Sequence, residues 1–155
     1  MIFEKIKSFL QVNEVEFEVF HHEPTLTSED SAKVRGEELK TGGKALLLKI
    51  DKGFKLFVLA ADKKLNSKKI KKNFKVKSIR FSTKEELYTL TQLVSGSVPP
   101  FGKPILDFEL FVDNSICKNE VICFNAGSLE DSIRMKVRDY IKVAKPNEIF
   151  DFSNS

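Results

Sequence analysis

KALLLKIDKGFKLFVLAA, residues 44–61, decides the fold. It holds two apolar runs, 44–50 and 55–61, separated by the turn-forming DKG. Short apolar runs bounded by turn residues read as strands, and two of them around a tight turn predict a β-hairpin. On the N-terminal side, VEFEVF (15–20) alternates strictly, as a half-buried strand does. Before it, Ile2, Phe3, Ile6, Phe9 and Leu10 recur at helical spacing over residues 2–13. HHEPTL (21–26) and ELKTGG (38–43) read as loops, and Thr27 and Ser28 before Glu29 and Asp30 predict a helix that runs to about Arg35.

On the C-terminal side, residues 67–73 predict a short basic helix and VKSIRF (76–81) a short strand. Ser82 with Glu85 reads as a capping box opening a helix to about Leu90. DFELFVD (107–113) and EVICFN (120–125) read as a second hairpin. AGSLED (126–131) is a turn, SIRM (132–135) a strand, and VRDYIKV (137–143) a final helix. The pattern predicts one α+β domain over residues 1–155, with a mixed, partly barrel-like sheet of about six or seven strands and helices around it.

Composition narrows the class. The chain has 155 residues, of which 41% are hydrophobic and 31% charged, as in ordinary globular domains. No apolar run approaches the ~20 residues a membrane helix needs, and the N-terminus mixes charges into its apolar pattern, unlike a signal peptide. The expected location is the cytoplasm, with Cys117 and Cys123 as free thiols. Neither the cysteines nor the adjacent His21 and His22 have metal-site spacing, so neither a metal nor any other cofactor is expected. G-x-G-x-x-G, G-x-x-x-x-G-K-[ST] and G-x-S-x-G are all absent.

Three features could carry chemistry. Lys44 follows Gly42 and Gly43 and opens a strand whose next four residues are apolar. It is either a snorkelling surface lysine or a partly desolvated ammonium aimed at an oxyanion or carbonyl. LVSGSVPPFG (93–102) is either a plain connection or a pre-shaped wall. Pro99 and Pro100 fix φ and constrain the residues before them, while Gly96 and Gly102 permit unusual backbone angles. KKLNSKKIKKNFKVK (63–77) carries eight lysines and no acid in a chain of net charge +4. It is either a solvated face or a sequence-blind patch for a phosphate backbone.

Taken in order, HEPTLTSEDSAKVRG (22–36), GGKALLLK (42–49), AADKKLNSKKIKK (60–72), GSVPPFG (96–102) and FNAGSLEDSIRM (124–135) resemble the YbaK/prolyl-tRNA synthetase-associated domain family. The likeness runs from about His22 to Phe152. The family's lysine maps on Lys44 and its G-x-x-x-P loop on Gly96 to Pro100, with Ser97 and Val98 between. The resemblance implies a freestanding editing enzyme that hydrolyses the ester joining a wrong amino acid to a tRNA, without metal or covalent nucleophile. In that scheme the lysine anchors the substrate, the loop backbone surrounds the aminoacyl group, and the terminal ribose hydroxyl helps activate water. Gly43, Asn125, Gly127 and Ser128 would border the substrate. Thr27 and Ser28 read first as a helix cap and second as a pocket border. Lys63, Lys64, Lys68, Lys69, Lys71 and Lys72 would meet tRNA phosphates. The implied partner is the acceptor end of aminoacyl-tRNA, with an aminoacyl-tRNA synthetase as a further one. A non-catalytic tRNA- or synthetase-binding module of the same fold is the alternative.

Overall fold

In the computed structural model the apolar hairpin becomes the centre of the molecule. Residues 1–25, 27–36 and 38–155 are described, Arg35 by its backbone alone. The hairpin strands are β2 (Gly43–Ile50) and β3 (Gly53–Ala60), paired antiparallel from Gly43↔Ala60 to Ile50↔Gly53. The strands before and beside them are β1 (Phe17–His21), β4 (Lys64–Leu65) and β5 (Ile79–Phe81). After them come β6 (Leu110–Asp113), β7 (Val121–Asn125), β8 (Asp131–Lys136), β9 (Glu148–Phe150) and β10 (Ser153–Asn154). The helices are α1 (Ile2–Val12), α2 (Ser28–Arg35), α3 (Ser67–Phe74), α4 (Lys84–Thr91), α5 (Asn114–Cys117) and α6 (Val137–Ala144).

The strands form three sheets rather than one partly barrel-like sheet. A mixed five-stranded sheet runs β5-β2-β3-β6-β9, an antiparallel three-stranded sheet runs β1-β8-β7, and β10 pairs β4. Among the described residues one parallel β-bridge, Gly42↔Cys123, links the backbones of the first two. The α+β class stands. The strand count rises from six or seven because β4, β9 and β10 are too short to show a hydrophobic period.

β2 and β3 do not alternate because apolar groups cover both faces of their sheet. Leu47, Leu56, Val58, Leu110 and Val112 join one core with Ile6 and Leu10 of α1 and Phe124 and Ile133 of the three-stranded sheet. Leu48, Phe57, Leu59 and Phe111 face the other, with Ile70 of α3 and Phe152 near the C-terminus. A partner on each side buries more apolar surface than a one-faced sheet could.

Local readings moved in several places. ELKTGG, read as loop, holds a 3-10 turn at Leu39–Thr41, and its last residue, Gly43, opens β2. The second hairpin does not form: β6 joins the five-stranded sheet, parallel to β3 and β9, while β7 pairs β8 in the other sheet. The buried Asp113 ends β6 by capping α5 through Ser115 N–H (3.0 Å) and accepts from Phe152 N–H (2.7 Å) and Ser153 Oγ–H (2.8 Å). The capping box lies one residue later, at Thr83 and Glu86. Ser82 N–H is already taken by the Leu47 carbonyl of β2 (3.0 Å), so it cannot donate the reciprocal bond that a capping box requires. His21, read as loop, is the last residue of β1, and the rest of that loop reading reaches Leu26, outside the described residues. The predicted N-terminal helix, the α2 start and the basic helix fall where expected. Among the described residues neither cysteine is in a disulfide; Cys117 is exposed and Cys123 buried. No described helix is long and apolar enough to cross a membrane.

Candidate active site

A cavity of about 440 Å³ opens where the two larger sheets meet, within the roughly 300–1,000 Å³ usual for small-molecule sites. Its wall on the five-stranded sheet is the start of β2, Gly43 to Leu47, with Ala61 beyond the end of β3. Phe81 to Lys84 and Leu87 form the next side, and Phe124 and Asn125 of β7 another. Thr25, Thr27, Ser28 and Ser31 add hydroxyl groups, and Ser95, Gly96 and Val98 of the Gly/Pro loop close it.

Lys44 projects from the mouth of β2, half-buried. Its ammonium donates to the carbonyl of Lys63 (2.5 Å) and, more weakly, of Ala61 (3.5 Å). These carbonyls belong to the turn after β3, so they fix the long side chain beside the cavity. Burial holds its pKa below the usual lysine value; the carboxylates of Glu29 and Asp62 oppose that shift and the Lys64 ammonium adds to it. The glycine before it serves packing as well as access. A Cβ on Gly43 would lie 2.6 Å from Ile122 Cδ1, so any larger residue there would have to displace the Ile122 side chain of β7.

The loop is exposed at Val94 to Gly96 and buried from Ser97 to Gly102. Gly96 takes φ +89°, a backbone angle that side chains disfavour. Ser97 Oγ–H donates to the Val94 carbonyl (2.7 Å) and Ser97 O accepts from Gly127 N–H (2.9 Å). Asn125 Nδ2–H donates to the Gly96 carbonyl (2.7 Å), and the buried Tyr140 hydroxyl to the Pro100 carbonyl (2.6 Å). The loop is thus held at both ends by the three-stranded sheet and α6.

Of the residues singled out in the sequence, Thr27, Ser28, Gly42, Gly43, Lys44, Gly96, Val98 and Asn125 line this one cavity. Ser97, Pro100, Gly127 and Ser128 are not among its lining residues. Ser97 and Pro100 anchor the loop from behind, Gly127 packs on Ile2, and Ser128 Oγ closes its own turn by accepting from Glu130 N–H (3.0 Å). Thr27 caps α2, its Oγ1 accepting from Asp30 N–H (3.0 Å), and borders the cavity as well. Thr25, Ser31, Phe81, Ser82, Thr83 and Lys84 were missed, because no sequence spacing marks residues that converge from separate elements.

The lysines divide. Lys64, Lys68 and Lys72 are exposed, and Lys63 and Lys71 are half-buried. Lys69 is committed to the C-terminal segment, its ammonium donating to Asp151 (2.8 Å) and to the Ser153 carbonyl (2.9 Å). Among the described residues no three His, Cys, Asp or Glu side chains gather where a metal ion could sit.

Residues 22–143 match the aminoacyl-tRNA editing domain family. The chain belongs to that family. An Escherichia coli relative, the multifunctional Ser/Thr-tRNA deacylase ProXp-y, is 30% identical, with 96% of this chain and 91% of the relative aligned. The prolyl-tRNA editing protein ProX of Acetoanaerobium sticklandii is 22% identical over 86% of this chain and 84% of its own. A crystal structure described as a candidate trans-editing enzyme for prolyl tRNA synthetase has a TM-score of 0.85 at 19% identity, covering 99% of this chain and 97% of its own. An uncharacterised protein of known structure reaches 0.86 at 20% identity, covering 97% and 99%. In this editing domain the matched segment holds both Lys44 and the Gly96 to Pro100 loop, and leaves α1 and the β9–β10 end outside the match.

Proposed function

We propose that the protein is an aminoacyl-tRNA deacylase acting in trans, with residues 1–155 forming one editing unit. The observation that carries this reading is the convergence of a partly desolvated Lys44 and the anchored Gly96 loop on one cavity, in a chain of the editing-domain family. Water adds to the ester carbonyl carbon, the bond to the ribose oxygen breaks, and that oxygen leaves with a proton. Free amino acid and uncharged tRNA result. The aminoacyl ester is already activated, so holding the carbonyl, the water and the charges in place supplies much of the barrier lowering.

In this reading Lys44 anchors the ester or the terminal adenosine, and the backbone of Gly96 to Val98 surrounds the aminoacyl group. The terminal ribose hydroxyl helps activate water, so the protein needs neither a metal nor a covalent nucleophile. Asn125, Gly43 and Thr27 border the substrate. Ser97, Pro100, Gly127 and Ser128 support the loop and the facing turn from outside the cavity. The exposed lysines around α3 hold tRNA phosphates without reading bases. The hydroxyl groups of Thr25, Thr27, Ser28 and Ser31 on one side of the cavity, together with the likeness to a Ser/Thr-tRNA deacylase, put serine and threonine first among the amino acids removed, then alanine and cysteine.

The test is a panel of mischarged tRNAs incubated with the protein. Release of serine or threonine from tRNA is the expected result. Retention of tRNA with its aminoacyl group intact across the panel would replace the enzyme with a tRNA-binding module.

A further inference from the structure

We propose that His22, Ser132 and Asn125 form a positioning relay that holds the Gly96 carbonyl in the cavity wall, and that the doubly protonated His22 ring locks the relay while the neutral ring can release it. The inference rests on the deacylase reading for its consequence, but its geometry stands alone.

Asn125 Nδ2–H donates to the Gly96 carbonyl (2.7 Å), so its Oδ1 faces the other way, toward Ser132. The Ser132 hydroxyl is 3.0 Å from that Oδ1 and donates its one proton to it. The Ser132 oxygen then offers only lone pairs to His22 Nε2, 2.8 Å away, so Nε2 must carry a hydrogen. On the other side of the ring, His22 Nδ1 lies 2.8 Å from the Glu23 carbonyl, which can only accept. Nδ1 must carry a hydrogen too. All four contacts are therefore satisfied by the imidazolium alone. Neutral His22 loses one of them. The Nε2–H tautomer gives up only the Glu23 contact and keeps the relay, whereas the Nδ1–H tautomer, held by the Glu23 carbonyl, draws the Ser132 proton toward Nε2 and leaves Asn125 Oδ1 without its donor.

The setting makes such a relay firm. Ser132 is fully buried in β8, and Thr25 N–H and His22 N–H bond to the Leu129 and Glu130 carbonyls, so the 22–25 segment is fixed to the head of that strand. The charged groups around His22 are Glu23 on its own segment and Glu130 and Asp131 at the head of β8. Its neighbour His21 pairs with Asp131 (2.9 Å). Histidine is the side chain whose charge ordinarily changes between about pH 5 and 8. Of the three, Asn125 touches the loop and lines the cavity, and His22 and Ser132 act through it.

The test joins spectroscopy of the free protein to kinetics. Over about pH 5 to 8, the Asn125 side-chain amide and the Gly96 to Val98 backbone amides should shift with the same midpoint as the His22 ring, and H22F should abolish that shift. Against the substrate cleaved best in the panel, corrected for uncatalysed hydrolysis, H22F and S132A should lower kcat by about 10- to 100-fold with little change in KM, as for a displaced reacting geometry. H22Q keeps an N–H toward Ser132 at every pH. It should recover most of that loss, and the ratio of wild-type to H22Q rates should fall as pH rises. If H22F does not fold, S132A and H22Q carry the same comparison. Asn125 and loop amides indifferent to the His22 titration would overturn the relay, as would an H22F profile parallel to wild type. Coupled shifts in a protein that cleaves nothing would sink the deacylase reading and leave the relay standing.

Discussion

Tyr140→Phe isolates one anchor of the loop. Tyr140 is fully buried in α6, its ring packs edge-on against Phe101 with centroids 5.4 Å apart, and its hydroxyl donates to the Pro100 carbonyl at 2.6 Å. The substitution removes one oxygen and keeps the ring, so packing is nearly unchanged and the buried carbonyl is left without that donor. Such a group costs about 1–3 kcal/mol. In a chain of this size each kcal/mol lowers Tm by about 2–4 °C, so the expected loss is about 2–12 °C. Pro100 ends the loop that walls the cavity, and a slackened loop should also lower the deacylation rate. The pH dependence gives a second check. Burial, and secondarily the Cys117 thiolate, hold the Tyr140 phenol well above its ordinary pKa. A raised pKa in the fold means that its stabilising contribution is complete below the unfolded value of about 10 and declines above it, because only the unfolded chain ionises. The gap between wild type and variant should therefore stay constant up to about pH 9 and narrow beyond about pH 10. Thermal melts across pH, with deacylation measured in parallel, test both. A Tm within about 1 °C of wild type at neutral pH would mean that this hydrogen bond does not hold the loop.

Lys44→Ala should keep the fold, read by circular dichroism, and lower the deacylation rate by about 10²–10³, as removal of a positioned charge-stabilising donor does; near wild-type rates would remove Lys44 from the site. Changing Lys64, Lys68 and Lys72 together to Gln should weaken tRNA binding and flatten its log–log salt dependence by about 0.7–0.9 for each phosphate no longer neutralised, equally for different tRNAs. An unchanged slope in a salt-series titration would make these lysines a solvated face. Gly43→Ala sets a Cβ 2.6 Å from Ile122 Cδ1 and should cost about 1–3 kcal/mol in urea unfolding, with partial recovery on adding Ile122→Val.

Much of the site was legible because its parts are local signals. Gly42 and Gly43 before Lys44, and the glycines and prolines of 96–102, mark backbone that must do something unusual, and a likeness to one family gave them an order. The cap at Thr27 was legible for the same reason, since its partner lies three residues away. Other parts gave no signal. His22 and Ser132 are 110 residues apart, and neither spacing nor periodicity relates them. The lysine run looked uniform, yet Lys69 is drawn to Asp151 while Lys68 and Lys72 stay exposed, because α3 turns successive residues to different neighbours.

The sequence by itself determined the elements with strong local signals: α1, the β2–β3 hairpin, α3, and a helix after the strand at 79–81. Their hydrophobic spacing and caps act over a few residues, and tertiary contacts reinforce them. Only the tertiary structure decided which strands share a sheet. DFELFVD and EVICFN are adjacent and apolar, so pairing them was the economical expectation. The buried carboxylate of Asp113 instead caps α5 and holds the C-terminal segment, sending the chain from one sheet to the other. Strand pairing is a contest among all the edges the chain can offer, settled by the apolar area each arrangement buries and the polar groups it satisfies. The cavity lies between those two sheets, so its lining was fixed by the same contest.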